Sequence, residues 1–251
     1  MSILELRGAS FSYGSRAVID DVSLDVSEGE TVGLVGESGA GKSTILSMLL
    51  GLAAPRAGTV LFDGEPLDIR DRRAMRRFRA SVQTVFQDPY SSLDPRQRVD
   101  RIVGEPLRSL GIARGEEARR AAADALASVG LDDDALERYP HEFSGGQRQR
   151  IAIARAIVSK PRVLLADEPV SALDVTTRIQ VIALLEELRR ASGLALVMVS
   201  HDLSAVAAVC ERTIVLRAGR IVEAGTTRDV LESPRTDYAR ALVAAVPRLP
   251  R

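Results

Sequence analysis

The feature that most constrains this chain is a glycine-rich loop between an apolar run and a predicted helix. Residues 36–43 read Gly-Glu-Ser-Gly-Ala-Gly-Lys-Ser and follow the apolar run Thr31–Val35, which predicts a buried strand. A helix is predicted from Lys42 to about Leu50, ending at Gly51. A strand, this loop and a helix in that order are the context of a phosphate-binding loop. The sequence therefore predicts a site for the phosphates of a nucleotide.

The residue types of this loop suit phosphate chemistry. Glycines permit backbone angles that turn successive N–H groups onto an anion, and the following helix adds the positive end of its dipole. Lys42 is predicted to neutralise charge on the β- and γ-phosphates, and the Ser43 hydroxyl to ligate Mg²⁺. Lys42 is one of two lysines among 34 basic residues, which indicates that a compact point charge is needed there. The lysine and the flanking strand argue against an ordinary glycine-rich turn.

Two carboxylates end a second apolar run. Val163–Ala166 predicts a buried strand, and Asp167 and Glu168 follow at its carboxyl end, where α/β proteins bind ligands. Asp167 is predicted to hold Mg²⁺ through water. Glu168 is predicted to orient and polarise the attacking water, because the transition state of phosphoryl transfer is loose. An exposed acidic strand end is the alternative, and the presence of the phosphate loop favours the catalytic interpretation.

A third motif opens a long basic helix. Ser144-Gly-Gly-Gln147 follows Phe143, and a serine with two glycines at a helix N-terminus forms a second anion site. One anion site has a lysine and the other has none. This pairing suggests a nucleotide sandwiched between two copies of the chain.

Composition excludes several other classes of protein. Formal net charge is zero, aromatic residues are 4% and tryptophan is absent, which argues against a nucleic-acid partner. One cysteine and two distant histidines predict neither a disulfide framework nor a zinc site, and they fit a reducing, cytosolic setting. No run approaches the ~18 apolar residues of a membrane span, and the charged N-terminus does not resemble a signal peptide. Any membrane association is therefore expected to be peripheral.

The motifs together resemble the nucleotide-binding subunit of an ATP-binding-cassette (ABC) transporter. Phe143–Gln147 is similar to the family signature L-S-G-G-Q, with Phe as the apolar anchor in place of Leu. The resemblance covers about residues 4–246 as one domain. It implies an α/β P-loop NTPase (RecA-like) fold with a mostly parallel sheet, an N-terminal antiparallel β subdomain and a helical insertion. The expected parts are a core (1–87 and 161–225), the insertion (88–160) and a C-terminal helical tail (226–251).

The apolar spacing also predicts individual helices. Three are predicted in the insertion, over about 98–110, 115–129 and 145–159. A last helix is predicted over about 235–246.

The resemblance also implies roles for single residues. Tyr13 would stack on adenine, Gln87 would sense Mg²⁺ and water, and His201 would contact the γ-phosphate. A plain strand tyrosine and a structural histidine are the alternatives. Catalytic residues would be Lys42, Gln87, Glu168 and His201, and metal ligands Ser43, Gln87 and Asp167. The ATP-binding set would be Tyr13, Gly36, Glu37, Ser38, Gly39, Ala40, Gly41, Lys42, Ser43 and Thr44. Ser144, Gly145, Gly146 and Gln147 would face the ATP of the partner subunit, and Ser171, Ala172, Leu173 and Asp174 would cross the dimer interface.

Within the family the chain is most similar to ATPases of dipeptide, oligopeptide and nickel importers. The similar stretches are 85–96, 139–150 and the tail 233–247, although Asp94 stands where many relatives have Asn. The chain stops at Arg251, before the extension of many peptide-importer ATPases, which also admits nickel-type relatives. The implied partners are a second ATPase subunit (the same or paralogous), two membrane permease subunits and, indirectly, a solute-binding protein. The expected location is the cytoplasmic face of the cell membrane, with ATP and Mg²⁺ as cofactors.

Three other interpretations are weaker. A cassette ATPase of DNA repair or translation would be expected to show coiled coils, tandem cassettes or a basic surplus. A GTP-dependent switch would carry the guanine motif N-K-x-D, which the sequence lacks. The basic run 70–79 could bind anionic lipid, but a solvated helix face is the favoured interpretation.

The segment 88–96, with two prolines, predicts an irregular surface loop where Tyr90 and Leu93 either dock a membrane subunit or pack the loop.

Overall fold

The computed structural model describes residues 2–245, and the chain forms two compact units. Unit 1 comprises residues 1–75 and 195–251, and unit 2 comprises residues 76–194. The strands are β1 (Ser2–Tyr13), β2 (Arg16–Ser27), β3 (Thr31–Val35), β4 (Ala57–Phe62), β5 (Glu65–Pro66), β6 (Val82–Val85), β7 (Val163–Asp167), β8 (Ala195–Ser200), β9 (Arg212–Arg217) and β10 (Arg220–Thr226). The α-helices are α1 (Lys42–Leu49), α2 (Arg72–Ser81), α3 (Pro89–Ser92), α4 (Val99–Val103), α5 (Glu105–Ser109), α6 (Gly115–Ser128), α7 (Gly145–Ile157), α8 (Val175–Ser192), α9 (Leu203–Val209), α10 (Thr227–Glu232) and α11 (Asp237–Ala244).

Unit 1 contains the predicted antiparallel subdomain. Its strand order is β2-β1-β4-β5. β1 pairs antiparallel with β2, which places Leu4 opposite Val26 and Leu6 opposite Leu24. These four side chains are buried, whereas Glu5 and Asp25 between them are more exposed. The alternation of apolar and polar residues therefore places one face of this sheet against the core.

The central strand of unit 1 positions the phosphate loop. β3 pairs in parallel with β8 on one side and with β9 on the other, and β10 returns antiparallel beside β9. Every residue of β3 is buried, as expected for a strand covered on both faces. The expectation of a mostly parallel core sheet with a separate antiparallel sheet is confirmed.

Unit 2 combines two parallel strands with helices. β6 pairs with β7, with Val85 opposite Ala166, so the carboxyl ends of the two strands lie side by side. The predicted helices near 115–129 and 145–159 are α6 and α7. The predicted helix 98–110 is wrong as a single element, because it divides at Gly104 into α4 and α5, and Pro106 lies in the first turn of α5.

Several boundaries differ from expectation for local reasons. The segment 88–96 is not wholly irregular, because Asp88 accepts hydrogen bonds from the N–H groups of Tyr90 and Ser91 and thereby starts α3. The basic run is a solvated helix face as expected, since Met75 and Phe78 of α2 are buried and its arginines are exposed. The last helix, expected over about 235–246, is α11. Val246 and Pro247 lie outside the described residues, and the predicted core, insertion and tail boundaries stay predictions.

Candidate nucleotide-binding site

The phosphate loop runs from the end of β3 to the start of α1 in unit 1. Gly41 is the N-cap of α1, with a left-handed φ of 109° and no side-chain hydrogen bond to the cap. A Cβ atom at this position would lie 2.5 Å from the Cδ1 atom of Ile19, and L side chains rarely adopt this φ, so glycine is strongly favoured. The cap therefore brings no side chain that would compete with a phosphate for the first turn of the helix.

The ammonium group of Lys42 folds back over the loop. The side chain is buried, and Nζ donates to the carbonyl oxygen of Gly36 at 2.6 Å and to that of Glu37 at 2.9 Å. A buried cation is costly unless its donors are satisfied, and these carbonyls supply two acceptors. Ser43 is exposed and Thr44 is buried next to it. The loop thus holds a positive charge at the N-terminal end of α1.

Two residues that the motif does not include form hydrogen bonds with the backbone of the loop. The hydroxyl of Tyr238 accepts from the N–H of Glu37 at 3.1 Å, and the N–H of Gly219 donates to the carbonyl of Ala40 at 2.9 Å. Tyr238 lies in α11 and Gly219 in the turn between β9 and β10. The sequence carries no local signal for either contact, since Tyr238 is 201 residues from Glu37.

Tyr13 and His201 also belong to unit 1. Tyr13 ends β1, is 59% exposed and has its ring edge-on to Phe11 with centroids 4.9 Å apart. His201 follows β8 and is exposed, and Asp202 beside it caps α9 by accepting from the N–H of Ser204. Both side chains are at the surface, and their proposed roles toward the nucleotide stay predictions.

The carboxylate pair of unit 2 stands at the carboxyl end of β7. Glu168 has a φ of +45°, a conformation that non-glycine residues adopt at a cost of about 1 kcal/mol or more. Its carboxylate Oε2 accepts a hydrogen bond of 3.1 Å from the Gln87 side chain, which follows β6. Parallel pairing of β6 with β7 explains how residues 81 positions apart meet. Asp167, the last residue of β7, is half-buried.

The signature motif lies at the N-terminus of α7 in unit 2. Ser144 is the N-cap, its hydroxyl accepts from the N–H of Gln147 at 3.3 Å, and the Gln147 side chain accepts from the N–H of Ser144 at 3.0 Å. This reciprocal arrangement is a capping box. Phe143 is buried beneath the guanidinium of Arg138, 4.2 Å from its ring centre, as expected of an apolar anchor.

The segment Ser171–Asp174 leads into helix α8, whose first turn packs against the signature through Thr177. Asp174 caps α8 and accepts from both the N–H and the hydroxyl of Thr177, and these bonds hold the pKa of Asp174 below its ordinary value. A Cβ atom on Gly146 would lie 2.4 Å from the Thr177 methyl carbon. The second glycine of the signature therefore allows α7 to pack closely against α8.

The surface beside the signature carries an exposed aromatic side chain. Tyr90 is 61% exposed, its hydroxyl lies near Gly145, and the Arg148 guanidinium stacks 4.2 Å from its ring centre. Leu93 is buried, so it packs the segment and is not a surface contact. Of the two apolar residues considered for docking, only Tyr90 is available at the surface.

Comparisons with known proteins identify the family. The family model for the ABC transporter matches residues 19–171. The chain belongs to the ABC transporter family. A Brucella ovis protein named as a peptide import ATP-binding protein is 46% identical over 249 residues, which cover 98% of this chain and 78% of that protein. The glutathione import ATP-binding protein GsiA of Salmonella typhi is 47% identical over 244 residues, which cover 96% of this chain and 39% of GsiA.

Solved structures of other ABC proteins share the fold. CbiO1 from Clostridium perfringens, part of the transporter complex cbiONQ, matches with a TM-score of 0.83 and 28% identity over 92% of this chain and 91% of CbiO1. The ATP-binding cassette MJ0796, solved as a dimer bound to ADP and Pi, matches with a TM-score of 0.78 and 32% identity over 90% of this chain and 99% of that cassette. The predicted family, P-loop NTPase fold and ABC ATPase class are confirmed. Within residues 2–245 no helix is long and apolar enough to cross a membrane.

Proposed function

We propose that this ABC ATPase is the ATP-hydrolysing subunit of an importer for a peptide-type solute. The observation that carries the proposal is the buried Lys42 ammonium held over the phosphate loop at the N-terminus of α1. The names of the Brucella and Salmonella relatives favour a peptide-type solute over nickel. Separate permease subunits would carry the solute, with this chain docked at the cytoplasmic face of the cell membrane.

The residues of unit 1 would bind the nucleotide. Lys42 offsets negative charge on the β- and γ-phosphates, and N–H groups at the start of α1 bind their oxygens. Tyr13 would stack on adenine, and His201 would contact the γ-phosphate. The Ser43 hydroxyl of unit 1 is a donor type that Mg²⁺ accepts, and water and phosphate would complete the shell. In unit 2 the Gln87 amide and the Asp167 carboxylate supply oxygens of the kind that Mg²⁺ prefers. When bound, Mg²⁺ would neutralise developing charge on the phosphate oxygens.

The pair Gln87 and Glu168 would position the attacking water. The hydrogen bond from the Gln87 amide restricts the carboxylate of Glu168, whose left-handed backbone is also held by two hydrogen bonds from Ser171 to its carbonyl. A carboxylate held in this way can accept a hydrogen bond from a water molecule and thereby orient the lone pair of the water oxygen. Gln87 would give up its hydrogen bond to Glu168 when ATP and Mg²⁺ are bound. Because segment 88–96 follows Gln87 directly, binding of the nucleotide would thereby affect that segment.

A second copy or a paralogous subunit would complete the site. Ser144–Gln147 of one subunit would face the ATP held by the Lys42 of its partner, and Ser171–Asp174 would lie across the same interface. MJ0796 forms a dimer, which supports a dimeric arrangement here. ATP-dependent closure would then drive the permease subunits, and hydrolysis would reopen the dimer.

Replacement of Glu168 tests the proposal. The parent chain should release phosphate from MgATP, whereas Glu168→Gln should lower the rate ~100-fold or more, because an amide cannot accept a proton from water. ATP binding should persist, and light scattering should show an ATP-dependent dimer. Glu187→Gln, an exposed glutamate on α8, serves as the matched control with parental turnover. Parental hydrolysis by Glu168→Gln would remove this residue from the reaction.

A further inference from the structure

One peptide group of the phosphate loop is held at both of its ends. The carbonyl of Gly36 accepts from Lys42 Nζ at 2.6 Å, and the N–H of the same peptide, on Glu37, donates to the Tyr238 hydroxyl at 3.1 Å. In a trans peptide the C=O and N–H bonds point in opposite directions within one plane. Fixing the N–H therefore also fixes the direction of the carbonyl that holds the lysine.

Tyr238 is itself firmly placed. It is 9% exposed in α11, and the Arg217 guanidinium lies 4.8 Å from its ring centre. The start of α11 is held by Glu223, whose carboxylate accepts from the N–H groups of Arg235 and Thr236 and from the Thr236 hydroxyl at 2.8–2.9 Å. Burial raises the pKa of Glu223, but these hydrogen bonds outweigh it and leave the pKa below its ordinary value. Glu223 is accordingly ionised at neutral pH.

These contacts form one connected path within unit 1. It begins at Glu223 in β10, passes through the first turn of α11 to Tyr238, and reaches Lys42 through the Gly36–Glu37 peptide. Neither the phosphate-loop motif nor the roles assigned above include Tyr238 or Glu223. A hydrogen bond at one end of a peptide strengthens the acceptor at the other end, because each bond polarises the same group.

We propose that Tyr238 is a positioning residue of the nucleotide site, through which helix α11 sets the place of the Lys42 ammonium. The inference rests on the proposed function in one respect, namely that Lys42 binds the nucleotide phosphates. Without the hydroxyl, the loop samples other orientations of the Gly36–Glu37 peptide. Nucleotide affinity then falls in proportion to the fraction of molecules in which the peptide keeps the orientation that holds Lys42 in place.

Tyr238→Phe isolates the hydroxyl, since it keeps the ring and its contact with Arg217. Titration calorimetry with MgADP and with magnesium pyrophosphate should each show a dissociation constant about fivefold higher, the effect of one neutral hydrogen bond. Pyrophosphate has no adenine, so an equal loss for both probes assigns the effect to the phosphate loop. Tyr139→Phe removes a hydroxyl from a half-exposed tyrosine of unit 2 and should leave both constants at the parental value.

Measurements of ATP turnover and of thermal unfolding distinguish a positioning role of Tyr238 from a purely structural one. Tyr238→Phe should raise KM for ATP about fivefold with kcat within about twofold of the parent, since Lys42 contacts the phosphates before and during transfer. Thermal unfolding of the nucleotide-free chain should shift by no more than a few degrees. Glu223→Gln, which loosens α11 without altering the tyrosine, should raise both dissociation constants in the same direction.

The outcomes that overturn the inference are distinct from those that overturn the function. Parental affinity of Tyr238→Phe for both probes, or a loss for MgADP but none for pyrophosphate, overturns it. In a Lys42→Ala background Tyr238→Phe should add no further loss of pyrophosphate affinity, and an additive loss also overturns it. A parent chain that binds pyrophosphate but hydrolyses no ATP would overturn the proposed function and leave this inference standing.

Discussion

Two helix N-termini of this chain are proposed to bind the same kind of anion, and they are built differently. At α1 the N-cap is a left-handed glycine with no side-chain bond, and a buried lysine lies over the loop. At α7 the N-cap is Ser144, whose hydrogen bonds with Gln147 already satisfy two backbone donors. The N-terminus of α1 therefore leaves its first turn open to a ligand, whereas the N-terminus of α7 is capped by its own side chains.

Because its two helix N-termini differ in this way, one chain can supply two different halves of the proposed shared site. The α1 end supplies a cation and a cap without a side chain, so we expect it to bind the nucleotide without a partner subunit. The capping box at α7 must exchange hydrogen bonds before it gains a phosphate contact. The nearby Arg148 guanidinium donates to the carbonyls of Pro140 and His141 and stacks on Tyr90. We therefore expect α1 to set affinity and α7 to set closure of the dimer. Three substitutions test this division, ordered by their effect on the nucleotide affinity of the isolated chain.

Lys42→Ala should have the largest effect. Removal of the ammonium leaves the phosphates with backbone dipoles alone, and loss of a charged hydrogen bond should weaken MgATP binding ~10- to 100-fold. Titration calorimetry measures the change. Lys160→Asn is the matched control, because Lys160 has a φ of 53° that asparagine tolerates and lies outside the phosphate loop. Parental affinity of Lys42→Ala would show that α1 does not set affinity.

Ser144→Arg should change affinity less than about twofold, because the isolated chain holds ATP through its own Lys42. It should nevertheless abolish the ATP-dependent dimer that Glu168→Gln accumulates, since a long cation fills the signature. The measurement is light scattering of the double variant with ATP. Ser109→Arg, at an exposed serine that ends α5, controls for added charge. A dimer that persists in Ser144→Arg would place closure elsewhere.

Tyr90→Ala should leave the nucleotide affinity of the isolated chain unchanged. In the assembled transporter it should lower solute uptake by about tenfold or more, if an exposed aromatic next to Arg148 anchors a permease subunit. Paired assays of nucleotide binding and uptake are needed. Ile112→Ala, another exposed apolar side chain of unit 2, should spare uptake. Full uptake by Tyr90→Ala would show that force reaches the permeases through another surface.

Local features were predictable because their causes are local. The phosphate loop, the cap at Ser144 and the strand predicted over Val163–Ala166 depend on residues a few positions apart. The structure has a loop, a cap and a strand at these places, and the strand extends one residue further, to Asp167. The predicted single helix at 98–110 failed because a glycine and a proline two residues later end one helix and start another. The missed helices α9 and α10 are short, and their caps, Asp202 and Thr226, are common residue types.

The sequence alone was enough to predict which charged side chains are candidates for phosphate contacts and where the two helices proposed to bind anions begin. These properties follow from side-chain chemistry and from hydrogen bonds that span three or four residues. The hydrogen bonds from Gln87 to Glu168 and from Glu37 to Tyr238 depend on how the strands and helices pack. Strand pairing and helix docking bring together residues that are far apart in the chain. Such contacts leave no local sequence pattern from which they could be predicted.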